Sequence, residues 1–340
     1  MTYQQNITEA VDRTAITQAV VQLEAGELVA FPTETVYGLG ADAMNPAAVN
    51  KVYAAKGRPT HHPLIVHIAA QASLTTWVRE IPPYAQQLID TFWPGPLTLV
   101  LARAAGVPLS VTGGQDSIAL RSPAHPCAQA LLTAFRQGQG GIVAPSANKF
   151  GKVSPTTAAH VREEFPIDHQ PSVYLLEAGA TEVGIESTIL DLSRLKQGRG
   201  PVLLRPGIIS AQDIAAIIGV MPAHIDAHAP RSSGTLAAHY APRTPLRLLP
   251  REQLNPYIQQ ASHQKIALIC TAPSNVFAST SYTEIAPTTS TAYAHYLYAI
   301  LRRLDRQQFD QILIEQPPQT ADWDAVNDRL SRAAAAFSTQ

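Results

Sequence analysis

Four cations stand where a folded backbone would present them to a small anion. Lys56 and Arg58 follow a short helical pattern, and Arg121 and Arg205 each close an apolar, strand-like run. A guanidinium is a planar fork that suits a carboxylate or a phosphate. Hydroxyl and amide groups accompany them: Thr33, Thr35 and Tyr37 behind one strand, Ser117 at the start of another, and Ser146, Asn148 and Ser154 in a loop. Lys56, Arg58, Ser117, Ser146, Ser154 and Arg205, spread over successive strand ends, describe a site along one edge of an α/β sheet. Such a cradle suits phosphoryl or nucleotidyl transfer, in which positioning and charge stabilisation supply most of the catalysis. Plainer roles stay open on this reading: helix C-terminal charge complementation for Lys56 and Arg58, a surface ion pair for Arg121, and a structural place in its strand for His67.

The elements that must position these groups are legible in order. Ile16, Ala19, Val20 and Leu23 mark one face of a helix over 14–25, ended by Gly26. Glu27 to Phe31 reads as a buried strand stopped by Pro32, and the stretch from Phe31 to Asp42 as a loop whose Gly38 and Gly40 admit a ligand or a positive φ. Asn45 caps a helix begun by Pro46 and closed by Gly57, which delivers Lys56 and Arg58. Strands are expected at 64–68, 97–102, 117–121, 142–144, 173–176 and 202–205, with helices around 84–92 and 125–136. Ser154-Pro155 resembles an N-cap and first turn, which would place Gly151 to Ser154 at an anion-binding helix N-terminus. Ser210 and Asp213 form a capping box for a helix closed by Gly219.

From Val220 to Pro245 the composition turns to Pro, Gly, Ser and Ala, the mark of a long linker, which still contains the pair His239-Tyr240. Strand patterns at 265–270 and 311–315 alternate with helical patterns at 292–304 and 326–337, a small α/β unit in which no polar cluster suggests chemistry. The division expected is a catalytic unit over 1–209, a linker that covers the site over 210–245, and a small α/β domain over 246–340.

Several function classes fall away. Gly38-Leu-Gly40-Ala-Asp-Ala43 matches G-x-G-x-x-A, yet its helix starts late and Arg58 stands where a ribose-binding acid is required. There is no P-loop, no H-E-x-x-H and no G-x-S-x-G. With 25 Lys and Arg against 26 Asp and Glu, the chain has no global field for a polyanion. Cys127 and Cys270 have no zinc spacing and frame no disulfide scaffold, which fits a reducing compartment. No basic leader stands in Met1 to Asn6 and no apolar run approaches eighteen residues, so a cytoplasmic protein is expected.

Six ordered blocks then carry a resemblance: Pro32-Thr-Glu-Thr-Val-Tyr-Gly-Leu-Gly40, Lys56-Gly-Arg-Pro59 with Pro63-Leu-Ile-Val-His67, Trp93-Pro-Gly-Pro-Leu-Thr98, Ala144-Pro-Ser-Ala-Asn148, Glu186-Ser-Thr188 and Leu204-Arg-Pro-Gly207. Together they resemble the YrdC-type threonylcarbamoyl-AMP synthases over about residues 13 to 209, and His239-Tyr-Ala-Pro242 with the tail is similar to their longer, two-domain branch. The resemblance implies a twisted α/β core with a large open cavity, joined to a smaller Rossmann-like α/β C-terminal domain. It implies an ATP-dependent nucleotidyltransferase that forms L-threonylcarbamoyl-AMP and pyrophosphate from L-threonine, bicarbonate or carbon dioxide, and ATP with Mg²⁺. The product would pass to a separate transferase complex that modifies tRNA, with direct tRNA binding weak or absent and no membrane partner.

Carried over by position, Thr35, His67, Arg121, Ala144 and Ser187 would hold threonine. Arg58, His62, Ser117, Ser146, Ser154, Arg205 and Tyr240 would hold ATP, and Lys56 with Arg58 would act on its phosphates. No protein side chain would bind the metal, which would come with the ATP phosphates. Two positions depart from the family pattern: His62 stands where asparagine is usual, and Ser233 where proline is common. The rival readings are an RNA-binding module without catalysis and carbamoyl transfer to another acceptor, whose relatives carry acylphosphatase and zinc-finger segments not seen here.

Overall fold

The computed structural model describes residues 11–273 and 280–338; the Met1 to Asn6 stretch lies outside them. Helix α1 (Arg13–Glu24) is capped by Asp12, whose carboxylate accepts from the amides of Thr14 and Ala15, and it buries Ile16, Ala19 and Leu23. Strand β1 (Leu28–Pro32) follows, entirely buried. The expected loop then proves to be a hairpin: β2 (Tyr37–Asp42) turns back antiparallel to β1 with Phe31 opposite Gly38 and Val29 opposite Gly40. Neither glycine has a positive φ. Their small size serves the sheet instead, because a Cβ on Gly40 would lie 2.8 Å from the Phe31 ring and 2.9 Å from Ile142.

Helix α2 (Pro46–Lys56) has the caps its sequence dictates: Asn45 accepts from the amides of Ala47 and Ala48, and Gly57 ends it at φ 63°. Strand β3 (Ile65–Ile68), helix α3 (Pro83–Phe92), β4 (Leu97–Ala102), the short α4 (Leu109–Thr112), β5 (Ser117–Arg121), α5 (Pro126–Ala134) and β6 (Gly141–Val143) follow. Then come α6 (Ala158–Glu164), β7 (Val173–Leu175), β8 (Thr188–Asp191), β9 (Val202–Arg205) and α7 (Ala211–Ile218). These strands form one mixed nine-stranded sheet in the order β7-β1-β2-β6-β3-β5-β4-β8-β9. Ile214 and Ile218 of α7 belong to the main core of this sheet, so by packing the first unit extends through α7 and the irregular linker begins after Gly219.

The second unit has a parallel four-stranded sheet in the order β10-β13-β11-β12, from β10 (Leu246–Leu249), β11 (Ile266–Cys270), β12 (Tyr282–Ile285) and β13 (Gln311–Glu315). Its helices are α8 (Arg251–Gln260), α9 (Ser290–Asp305) and α10 (Asp324–Ala335). Strands β10 and β12 are not expected from the sequence, and Pro256 inside α8 conceals that helix. The core of this unit is shared: Val36, Val153, Val183, Ile185 and Tyr240 pack with Leu297, Tyr298, Leu301 and Val326. Gly184 permits the contact, since a Cβ there would fall 2.5 Å from the His295 backbone. No helix among the described residues is long and apolar enough to cross a membrane.

Candidate active site

A cavity with about 600 Å³ of empty space, counted to its open mouth, lies between the first unit and the linker. Its walls include Thr35, Lys56, Arg58, His67, Arg121, Ala144, Ser146, Ser187, Arg205 and Tyr240. Sheet register explains much of this convergence. His67 on β3 pairs with Arg121 on the parallel β5, which sets two chemically useful side chains next to each other at neighbouring strand ends. Ile189 pairs with Arg205, so the loop entering β8 lies against the end of β9.

At one end Arg121 is held on three sides. Its Nε donates to the Gly95 carbonyl at 3.2 Å, its Nη1 to Thr35 Oγ1 at 2.9 Å, and its Nη2 lies 2.7 Å from Glu34 Oε1 in an ion pair that is almost fully buried. Burial, followed by the nearby Arg121 charge, lowers the His67 pKa to about 3, so its imidazole is neutral at physiological pH. Its Nδ1 is buried without a hydrogen-bond partner. Thr98 and Ser187 hydroxyls lie 2.7 Å apart, and Arg205 donates to both the Ser187 carbonyl and its Oγ, at 3.0 and 3.2 Å.

At the other end Lys56, the last residue of α2, donates to the carbonyls of Ser146 and Asn148. Burial and then the adjacent Arg58 push its pKa well below the usual lysine value. Glu164 and Glu186 act in the opposite direction, and a bound anion would favour the charged form further. Arg58 lies under the ring of Phe150, 5.6 Å from its centroid, and its Nη2 reaches the Pro63 carbonyl at 2.9 Å and Ser233 Oγ at 3.1 Å. Burial lowers the Arg58 pKa to about 10, still cationic at neutral pH.

Three expected ATP ligands are not among the residues lining this cavity. Ser154 is fully buried with its hydroxyl given to Glu186 Oε1 at 2.5 Å, and no helix starts there. Thr157 caps the seven-residue α6 instead, and the Pro155 carbonyl accepts from the Tyr37 amide, so the anion-binding helix N-terminus read from Ser154-Pro155 does not form. Ser117 lines a second cavity of about 260 Å³ with Ile65, Ala119, Arg231 and Ser233, behind the linker. His62 stacks edge-on against Phe150 at 5.4 Å outside the cavity wall.

The C-terminal unit, which carries no polar cluster in the sequence, also contributes. Tyr298 on α9 donates to Glu186 Oε2 at 3.0 Å, Arg302 to the carbonyls of Val153 and Ser154, and Arg329 on α10 to Glu186 Oε2 at 2.9 Å. A signal existed: Arg302 and Arg329 fall on the core-facing stripe of their helices beside Leu301 and Leu330. A cation on an apolar face needs a buried partner.

An α/β sheet whose strand and helix ends gather four cations and an amino-acid-sized set of donors into one cavity defines a small-molecule enzyme of the nucleotidyltransferase type. A family model described as "Telomere recombination" matches residues 21–207, and one described as "Threonylcarbamoyl-AMP synthase, C-terminal domain" matches residues 209–335. A threonylcarbamoyl-AMP synthase of Pyrococcus abyssi is 36% identical over 97% of this chain and 96% of its own length. That of Bacillus subtilis is 39% identical over 94% and 92%. The crystal structure of P. abyssi Sua5 complexed with L-threonine superimposes with a TM-score of 0.85 at 36% identity, covering 97% of this chain and 96% of that one. The chain belongs to the two-domain, Sua5-type threonylcarbamoyl-AMP synthase family.

Proposed function

We propose that this chain converts L-threonine, bicarbonate or carbon dioxide, and ATP into L-threonylcarbamoyl-AMP and pyrophosphate. One observation carries the reading: Thr35, His67, Arg121 and Ser187 line the same cavity as Lys56, Arg58 and Arg205. An amino-acid pocket and a phosphate cradle are thereby continuous. The names of the relatives and the threonine complex of the P. abyssi protein support it.

Arg121, fixed by Glu34, Thr35 and Gly95, offers its fork to the threonine carboxylate, while neutral His67 accepts from the substrate without charge repulsion. The lone pair of the unprotonated threonine nitrogen forms a bond to the carbon of carbon dioxide as one C=O π pair moves onto oxygen, and the nitrogen gives a proton to solvent. A carbamate oxygen then bonds to the α-phosphorus as the bond to the bridging oxygen breaks, and pyrophosphate leaves with that electron pair. Lys56, Arg58 and Arg205 compensate the charge that develops, in a site prearranged for it. No protein nucleophile is required.

Magnesium belongs to the nucleotide in this reading. Among the described residues no three His, Cys, Asp or Glu side chains converge to hold a metal ion. Glu186, the carboxylate in the cavity wall, already accepts from Ser154, Tyr298 and Arg329.

A pyrophosphate-release assay with an amino-acid panel tests the proposal. Release should require ATP, bicarbonate and threonine together; release indifferent to threonine would overturn it. The product, a mixed anhydride, suits consumption by a transferase that moves the threonylcarbamoyl group to tRNA. Direct tRNA binding by this chain should be weak, as its net charge of −1 provides no phosphate-binding field.

A further inference from the structure

We propose that Arg329 is a positioning residue for synthesis: from the C-terminal unit it fixes the two strand ends and the linker tyrosine that enclose the substrates. This rests on the reading of the cavity as a threonine and ATP site. The Arg329 side chain is completely buried. Its Nε donates to Glu186 Oε2 at 2.9 Å, its Nη2 to the Glu186 carbonyl at 3.3 Å, and its Nη1 to the Pro206 carbonyl at 3.0 Å. Glu186 immediately precedes Ser187, and Pro206 immediately follows Arg205. One guanidinium thus ties the loop entering β8 to the exit of β9, next to a threonine-side group and a phosphate-side group.

The same cation reaches the linker. Its carbon centre lies 5.2 Å from the centroid of the Tyr240 ring, which also stacks with Tyr298 at 5.8 Å and meets the His239 ring edge-on at 4.1 Å. Tyr240 has φ 58°, a costly conformation for tyrosine that its surroundings must enforce. Its hydroxyl is buried without a hydrogen-bond partner and the residue lines the cavity. Asp328, accepting from Arg329 Nη1 at 2.7 Å and Arg332 Nε at 2.9 Å, and Glu186 balance the charge. Arg332 in turn donates to the Leu236 carbonyl, and the His239 amide donates to the Arg332 carbonyl at 3.1 Å. Helix α10 therefore holds the linker at three points, and Arg329 is the point that also touches the sheet.

The test compares full-length wild type, Arg329→Met, Arg329→Lys and Leu330→Ala. Leu330 is buried in the same helix and packs in the C-terminal core without bonding the site loops. Arg329→Met should raise the KM for both threonine and ATP tenfold or more, and trypsin should cut the linker at Arg231 or Arg243 several times faster. Arg329→Lys keeps a charge beside Glu186 and folds, but one ammonium cannot reach the Glu186 carboxylate, the Pro206 carbonyl and the tyrosine face together, so it should show both effects more weakly. Leu330→Ala should lower thermal stability while leaving both KM values within twofold and linker cutting unchanged. Wild-type KM values or wild-type cutting in both Arg329 variants overturns the proposal, as does an equal KM rise in Leu330→Ala. If wild type releases no threonine-dependent pyrophosphate, the functional reading fails, and linker cutting still decides whether Arg329 holds Tyr240.

Discussion

Arg58 and Ser233 share one acceptor: the guanidinium and the serine hydroxyl both donate to the Pro63 carbonyl, at 2.9 and 3.1 Å, and are 3.1 Å from each other. A phosphate-side cation is thereby joined to the linker. Ser233→Ala removes that joint, and a single hydrogen bond contributes about 1 kcal/mol. The KM for ATP should rise about fivefold with little change in the KM for threonine, measured by steady-state pyrophosphate release.

Lys56 and Arg58 supply charge prearranged for the departing pyrophosphate. Lys56→Ala or Arg58→Ala should lower kcat about a hundredfold or more, the usual effect of losing one such donor. Wild-type turnover in either variant would remove that role.

Arg121 is set for a planar, two-point contact, and a lysine cannot reproduce it. Arg121→Lys should raise the KM for threonine by about tenfold or more, since a charged hydrogen bond contributes about 1.5–3 kcal/mol. The KM for ATP is the internal control.

Burial is the leading cause that lowers the pKa of His67 and His239 to about 3 and of His160 to about 4. Each folded value lies below the unfolded one of about 6.5. The unfolded chain therefore binds more protons as pH falls, and stability present above pH 6.5 is lost progressively down to the folded values. Urea denaturation between pH 7 and pH 4 should show His67→Gln losing stability less steeply than wild type, by about 1.4 kcal/mol per pH unit.

Gly40→Ala should destabilise the protein by about 1–3 kcal/mol, as expected of overpacking against Phe31, Ile142 and the Val29 carbonyl. Gly57→Ala meets no neighbour within 4 Å but must adopt φ 63°, at a cost of about 1 kcal/mol. Urea midpoints at constant m-value separate the two.

The sequence by itself determined the elements whose signals are local. Asn45, Pro46 and Gly57 bound α2, Ser210 with Asp213 starts α7, and apolar runs ending in Arg121 and Arg205 mark β5 and β9, because caps, propensities and alternation act over a few residues. The ordered blocks were equally legible as a family pattern, and with them the site residues Thr35, Lys56, Arg58, His67, Arg121 and Ser187, which the structure brings into one cavity. Only the tertiary structure decided the rest. Strand pairing made Gly38 and Gly40 part of a hairpin rather than a loop, and the Ser154 hydroxyl is given to Glu186, with Ser154 itself not among the residues lining the cavity. Docking of α9 and α10 brought Tyr298, Arg302 and Arg329 beneath the site. Tertiary contacts, which for Tyr298, Arg302 and Arg329 join residues more than a hundred positions apart, leave no periodicity in the chain, so the partners become visible only when the sheet and the second unit are assembled.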